Sequence, residues 1–298
     1  MNKYVIYTAV VGNYDEILQP KVIDDRFDYI LFSNDIKESN VGVWQVRPID
    51  YTNEVQTKIA RWVKTHPEEL LPGYEFSVWM DANIQIQTVF VYNKAVKLYE
   101  DGFLLSSVKH PVRGCVYEEI AAVVYYNFES YAVSILWGKL LRSKNYPRHY
   151  GLNETNVLYR VHSNPNVASM DNLWWDCIER YSRRDQLSFN YSCWQVGIVC
   201  EPFLQQGSVR NSEDFECNVA HKNTAQKSIE NKKYMRQIYD SCNDWNAVGN
   251  VMYWSLRKRN TMLWLGIVGF FWNFRYSVKK LAKACLGVND NRKNISSI

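Results

Sequence analysis

The sequence predicts an α/β domain built on a mainly parallel sheet flanked by helices, and three observations carry that expectation. Short apolar, β-branched runs recur from residue 4 to residue 161. Segments with helical spacing separate them, and most runs close in turn-forming residues.

The elements follow in order. Residues 4–11 form an apolar run closed by Gly12-Asn13-Tyr14-Asp15, the pattern of a buried strand entering a loop. Residues 28–33 repeat it, and 43–46 give a third, shorter strand. In 55–64 the apolar Val55, Ile59, Trp62 and Val63 fall at i, i+4, i+7 and i+8, which is helical. Strands are expected over 76–80 and 84–86 on either side of Asp81-Ala82-Asn83, then a helix over 89–99 and a strand over 103–106. Residues 117–145 read as mainly helical, 156–161 as a late strand, and 167–182 and 185–194 as helices. With no internal repeat and no Gly/Ser linker, residues 1–225 are expected to be one domain and 226–298 a helical C-terminal extension.

Composition narrows the function classes. At 298 residues with 47% apolar and 22% charged side chains, the chain is globular and neither disordered nor low in complexity. Its 11 Trp and 21 Tyr suit stacking surfaces in polar clefts as well as ordinary core filling. Residues 257–283 hold seven Lys/Arg and no Asp or Glu, which puts −3 on the rest of this +4 chain. A mildly acidic body argues against a nucleic-acid partner. Seven Cys at irregular spacing, with no C-x-x-C, indicate reduced thiols in a cytoplasmic setting and neither a disulfide framework nor a structural zinc site.

The opening apolar run is too short for a secretion signal, and no stretch reaches the roughly 18 apolar residues of a membrane span. The apolar run 261–272, flanked by basic residues, matches a helix lying on an anionic membrane surface at the inner face of the cell membrane. It equally matches a C-terminal helix packed on the domain with a solvated basic face.

P-loop, dinucleotide-fold, zincin and serine-hydrolase motifs are all missing. What remains is Trp79-Met80-Asp81-Ala82-Asn83 at a strand end. A carboxylate and an amide oxygen on one tight turn can share a hard divalent cation and leave room for phosphate oxygens, although D-x-N is also a common Asx-turn. The small residues Thr8, Ala9 and Val10 would let a nucleotide approach the first strand, with Tyr14 and Asp15 placed for base or ribose. Lys58, Arg61 and Lys64, at i, i+3 and i+6, span an arc of about 120° that can grip a diphosphate or simply face solvent.

Four blocks in order resemble the TOD/MUCI-like glycosyltransferase family: K-x-x-R-x-x-K-x-H-P from Lys58, W-M-D-A-N-I from Trp79, H-P-x-R-x-C-V-Y-E-E from His110, and R-D-Q-L-S-F-x-Y from Arg184. The resemblance spans residues 4–222 or so. It implies a GT-A-type fold in which Asp81 and Asn83 ligate Mn²⁺ or Mg²⁺ and the diphosphate, with Lys58 and Arg61 as further diphosphate contacts. His221 occupies the place of the late histidine that completes the metal shell in GT-A enzymes. Asn83 departs from the D-x-D motif, and an amide is a weaker ligand than a carboxylate.

On the acceptor side the same blocks offer His110 and Arg113 with Glu118 and Glu119, and then Asp185 with Gln186. Transfer by inversion needs a general base. Asp185 is the first choice for it and Glu118 or Glu119 the second, while Asp185 also suits a helix N-cap. Trp174 suits either sugar stacking or the core. The resulting expectation is a metal-assisted transfer from a nucleoside-diphosphate sugar to a glycan or lipid-linked acceptor in cell-surface polysaccharide synthesis, such as capsule or lipopolysaccharide. The rivals are a non-catalytic sugar-binding or membrane scaffold protein and a sugar nucleotidyltransferase, although the V-G-N-Y-D-E loop lacks the basic residues of the latter.

Overall fold

A computed structural model describes residues 2–12, 16–125 and 128–217. Everything expected of residues 226–298, the membrane-facing tail included, lies outside the described residues, as do Tyr14, Asp15 and His221. No helix among the described residues is long and apolar enough to cross a membrane.

The strands β1 (Tyr4–Ala9), β2 (Phe27–Phe32), β3 (Asn40–Val41) and β4 (Trp44–Arg47) open the chain. Next come α1 (Gln56–Thr65), the single turn α2 (Pro67–Leu70), β5 (Phe76–Met80), β6 (Ile84–Ile86), α3 (Phe90–Glu100) and β7 (Leu105–Lys109). The second half holds α4 (Val116–Tyr125), α5 (Tyr131–Ser143), β8 (Asn153–Val161), α6 (Pro165–Arg180), α7 (Gln186–Val196), β9 (Glu201–Pro202) and β10 (Phe215–Cys217), with a 3₁₀ turn at Val209–Asn211.

Eight strands form one sheet in the order β3-β4-β2-β1-β5-β8-β7-β9, and β6 pairs with β10 in a second, two-stranded sheet. The β4-β2-β1-β5 half is parallel throughout. Strands buried on both faces read as unbroken apolar runs, which is why β1, β2 and β5 were legible as strands. β8 runs antiparallel between β5 and β7. This α/β arrangement, with a mostly parallel sheet between helical layers, is consistent with a GT-A-like fold.

One core fills the sheet face under α3 and the small sheet, around Ile6, Leu31, Val78 and Tyr92. Another lies under α1, α6 and α7, around Tyr7, Val63, Trp174 and Phe189. The helices start where local chemistry permits. Asn164 accepts hydrogen bonds from the Asn166 and Val167 amides ahead of α6, whose first residue is Pro165. α7 stops at Gly197, whose φ of +78° suits glycine.

The topology creates one crevice. From β1 the chain moves outward through β2 to β4, then returns to β5 on the other side of β1, so the carboxyl ends of β1 and β5 flank a switch point where ligands collect in such sheets.

Candidate active site

Asp81 stands at this switch point, immediately after β5. Its amide donates to the Asn156 carbonyl, and its carbonyl accepts from the Ile84 amide, which fixes the turn into β6. The Trp79 indole N–H donates to Asp81 Oδ1 at 2.8 Å. Lys64 Nζ and Arg61 Nη1 lie 3.5 Å and 3.9 Å from the same oxygen. Asp81 Oδ2 makes no bond to a described residue, and the side chain is 29% exposed.

Behind Asp81 lies a buried ionic network. Lys64 is completely buried, and its ammonium donates to Asp185 Oδ2 at 2.6 Å and to Thr155 Oγ1 at 3.1 Å. It also sits over the rings of Trp79 and Trp174. The Thr155 hydroxyl donates to Asp185 Oδ2, and Arg61 Nε lies 3.3 Å from that oxygen. Burial would raise the Asp185 carboxyl, but the Arg61 and Lys64 cations with the bonds from Lys64 and Thr155 hold it well below the usual carboxylate range.

The basic residues of α1 therefore do not share one solvated face. Lys64 faces inward, because Asp185 of the α7 N-terminus and Thr155 of β8 offer it partners that water would otherwise supply. Lys58 is buried too, donating to the Glu179 carbonyl at 2.7 Å near the end of α6. Of the three, Arg61 stays closest to the cleft, at 20% side-chain exposure. Trp174 is wholly buried, with its indole N–H bonded to the Asp185 carbonyl, so it packs in the core and presents no face to a saccharide.

Toward β1 and β2 a small cavity lies beside Asp81, lined by Thr8, Val10, Leu31, Trp44 and Met80. Thr8 Oγ1 is buried with no hydrogen-bond partner among the described residues, and Ala9 packs into the core on the α1 face of the sheet. Gly12, at φ +74°, turns the chain beyond β1 and donates its amide to Asp35 Oδ2 beyond β2. Asp35 was not singled out from the sequence, where it sits in an unremarkable N-D-I loop.

On the other side of Asp81, Arg113 Nε bonds Glu119 Oε2 at 2.5 Å, with Glu119 buried. Exposed Glu118 accepts from the Gly114 amide at 3.3 Å. His110 Nδ1 accepts from the Val112 and Arg113 amides. Burial, then Arg113 and Arg210, push its pKa down to about 4, so it is a neutral turn-closing group at pH 7. The Gln186 amide donates to the Asn153 carbonyl and ties α7 to the start of β8.

That start of β8 is the feature sequence reasoning missed. Asn153-Glu154-Thr155-Asn156 is a polar run, and the sequence-based strand began only at its last residue. The pairing with β7 shifts register between Ser107 and Val108, so β8 bulges here. The bulge sends Thr155 into the Lys64 network and brings Asn156 against Asp81. Four polar residues directly before an apolar strand, in a protein without Gly or Pro at that point, were the available signal.

The chemistry of the donor set suits a divalent cation. Asp81 Oδ2 and the Asn83 side chain share one turn and have no hydrogen-bond partner among the described residues, and small hard cations are commonly held by one or two carboxylates together with substrate phosphates. No group of three or more His, Cys, Asp or Glu capable of holding a metal occurs among the described residues.

A family model described as TOD1/MUCI70, glycosyltransferase-like domain, matches residues 1–221. No curated protein matches the chain.

Proposed function

Since the chain belongs to the TOD1/MUCI70 glycosyltransferase-like family, we propose that it moves a sugar from a nucleoside-diphosphate donor to a glycan or lipid-linked saccharide. The observation that carries this reading is the partly exposed Asp81 at the β1/β5 switch point, with one carboxylate oxygen anchored and the other without a partner among the described residues.

In this reading the nucleoside lies beyond the carboxyl ends of β1 and β2, outside the buried Thr8, Ala9 and Val10, which line the floor beneath it and do not touch it through an open backbone. Asp81 and Asn83 would hold Mg²⁺ or Mn²⁺, and the ion when bound would neutralise charge on the departing diphosphate. Arg61 adds a fixed cation at the same place. Its guanidinium is held by Asp185 and faces Asp81, so it needs no reorganisation as negative charge grows. Trp79 keeps the Asp81 carboxylate from rotating. The saccharide acceptor lies toward His110, Arg113 and the start of β8. Activity at an inner membrane face, with residues 257–283 as the contact, belongs to the same proposal and rests on charge patterning alone.

Thermal melting of the full chain with UDP- and GDP-sugars, each with and without Mn²⁺, tests the reading. A melting shift that requires both nucleotide and metal is expected. A chain that binds saccharide but shows no such shift is a non-catalytic sugar-binding protein instead. Loss of vesicle binding on deleting residues 257–298, assayed on anionic vesicles, tests the membrane contact. Equal binding by the truncated chain rejects it.

A further inference from the structure

Four carboxylates among the described residues lie in or just behind the cleft around Asp81, and three are already engaged. Asp185 is buried with two cations and a hydroxyl on one oxygen. Glu119 is buried against Arg113. Glu118 is exposed and bonds its own loop.

Glu154 differs on each count. It is half-buried, at the first residue of the β8 bulge, and the bulge is clamped: Ser107 Oγ donates to both the Glu154 carbonyl at 2.5 Å and the Val157 carbonyl at 3.1 Å. The neighbouring Asn153 is fixed as well, its side chain and backbone bonded to Asn190 and its carbonyl to Gln186. The carboxylate itself is nearly unbonded. Oε2 receives one long bond from Asn156 Nδ2 at 3.4 Å, and Oε1 has no partner among the described residues. Two residues on, the Asn156 carbonyl accepts the Asp81 amide, so Glu154 stands on the strand end that abuts the Asp81 turn, and the charges of Arg210, Asp81 and Arg113 all act on it. A carboxylate held rigid by its backbone and left open at its tip is suited to receive a proton.

We propose that Glu154 is the catalytic base of the transfer, and this rests on the glycosyltransferase reading above. Glu154 takes the proton of the acceptor hydroxyl while that oxygen bonds to the anomeric carbon. The bond from that carbon to the donor diphosphate breaks, its electron pair leaves with the diphosphate, and the anomeric configuration inverts. Burial, the main influence on Glu154, raises its pKa from the ordinary value, in the direction that favours proton uptake.

The experiment measures release of nucleoside diphosphate from UDP-glucose, UDP-galactose, UDP-N-acetylglucosamine and GDP-mannose by the full chain with Mn²⁺, water serving as acceptor. Glu154→Gln should lower release by about 10²-fold or more, within the usual range for a general base, while the nucleotide-dependent melting shift stays unchanged. Formate should restore release by Glu154→Ala about tenfold, a rescue that a merely structural residue would not show. Release by Glu154→Gln within threefold of the parent overturns the assignment and leaves the transferase reading standing. Retained configuration in the released sugar also overturns it. A parent chain with neither release nor melting shift overturns both together.

Discussion

Two buried cations meet at the last turn of α1, and their networks end differently. Arg160 of β8 is wholly buried, donating to Asp171 of α6 at 2.5 Å, to the Tyr7 hydroxyl of β1, and to the Lys64 carbonyl at 2.5 Å. Every partner is interior, so this network joins sheet to helices and ends there. The side chain of Lys64 is equally buried, yet its second carboxylate neighbour, Asp81, is partly open to the cleft. The comparison teaches that burial alone does not distinguish the two networks. What separates them is whether the chain of charges reaches solvent.

The largest effect that would sharpen the contrast is expected at the open end. Asp81→Ala should lower nucleoside-diphosphate release by about 10³-fold, the scale seen when a main electrostatic contact to a transition state is removed. Its stability should change by about 1 kcal/mol or less, because Lys64 keeps Asp185 and Thr155. Urea unfolding and the release assay measure the two quantities side by side. Normal release by this variant would remove Asp81 from the reaction and erase the distinction.

Next in size are the cations themselves. Arg160→Met leaves Asp171 buried beside no charge and should cost about 3–5 kcal/mol in urea unfolding, with release per folded molecule unchanged. Lys64→Met should cost somewhat less, about 2–4 kcal/mol, since Arg61 still faces Asp185. Unlike the first variant it should also lower release, by about tenfold or more, because Asp81 loses a cation 3.5 Å away. If both variants lose stability and neither loses release, Lys64 belongs to the core network and the comparison fails.

The two networks were not equally legible in the sequence. β5 and β6 matched the expected 76–80 and 84–86 because unbroken apolar runs there meet an abrupt D-A-N turn. α1 lay within a residue of its expected bounds because Trp62 and Val63 fix its apolar stripe. β9 and β10 were missed, since strands of two and three residues exist only through their partners, β7 and β6. The K-x-x-R-x-x-K spacing suggested a single cationic face, but spacing describes a helix in isolation. Lys64 is buried by a carboxylate 121 residues further along the chain, and no local pattern announces that. Glu154 was hidden for a related reason. A polar run lacks the alternation that marks a strand, and only pairing with β7 makes it one.

The smallest expected effect sharpens the comparison through sign rather than size. Asp171 and Asp185 are both buried, but Asp171 faces one cation and its Oδ2 has no partner among the described residues, whereas Asp185 faces two cations and a hydroxyl. Burial prevails over Arg160 at Asp171 and pushes it up to about 7. At Asp185 the cations prevail over burial and hold it below the ordinary value. An acid with a raised folded pKa binds its proton more tightly in the native state, so its contribution to stability is full below about pH 4 and is lost as pH rises toward about 7. A depressed acid behaves in the opposite way: its contribution is present above about pH 4 and is lost as pH falls below that. Asp171→Asn should therefore flatten the decline in urea midpoint between about pH 4 and pH 7, while Asp185→Asn should lessen the loss on the acid side of pH 4. Equal slopes for both variants would mean that partner number does not set the charge balance of the two networks. The closed and open ends of the α1 turn would then differ only in exposure.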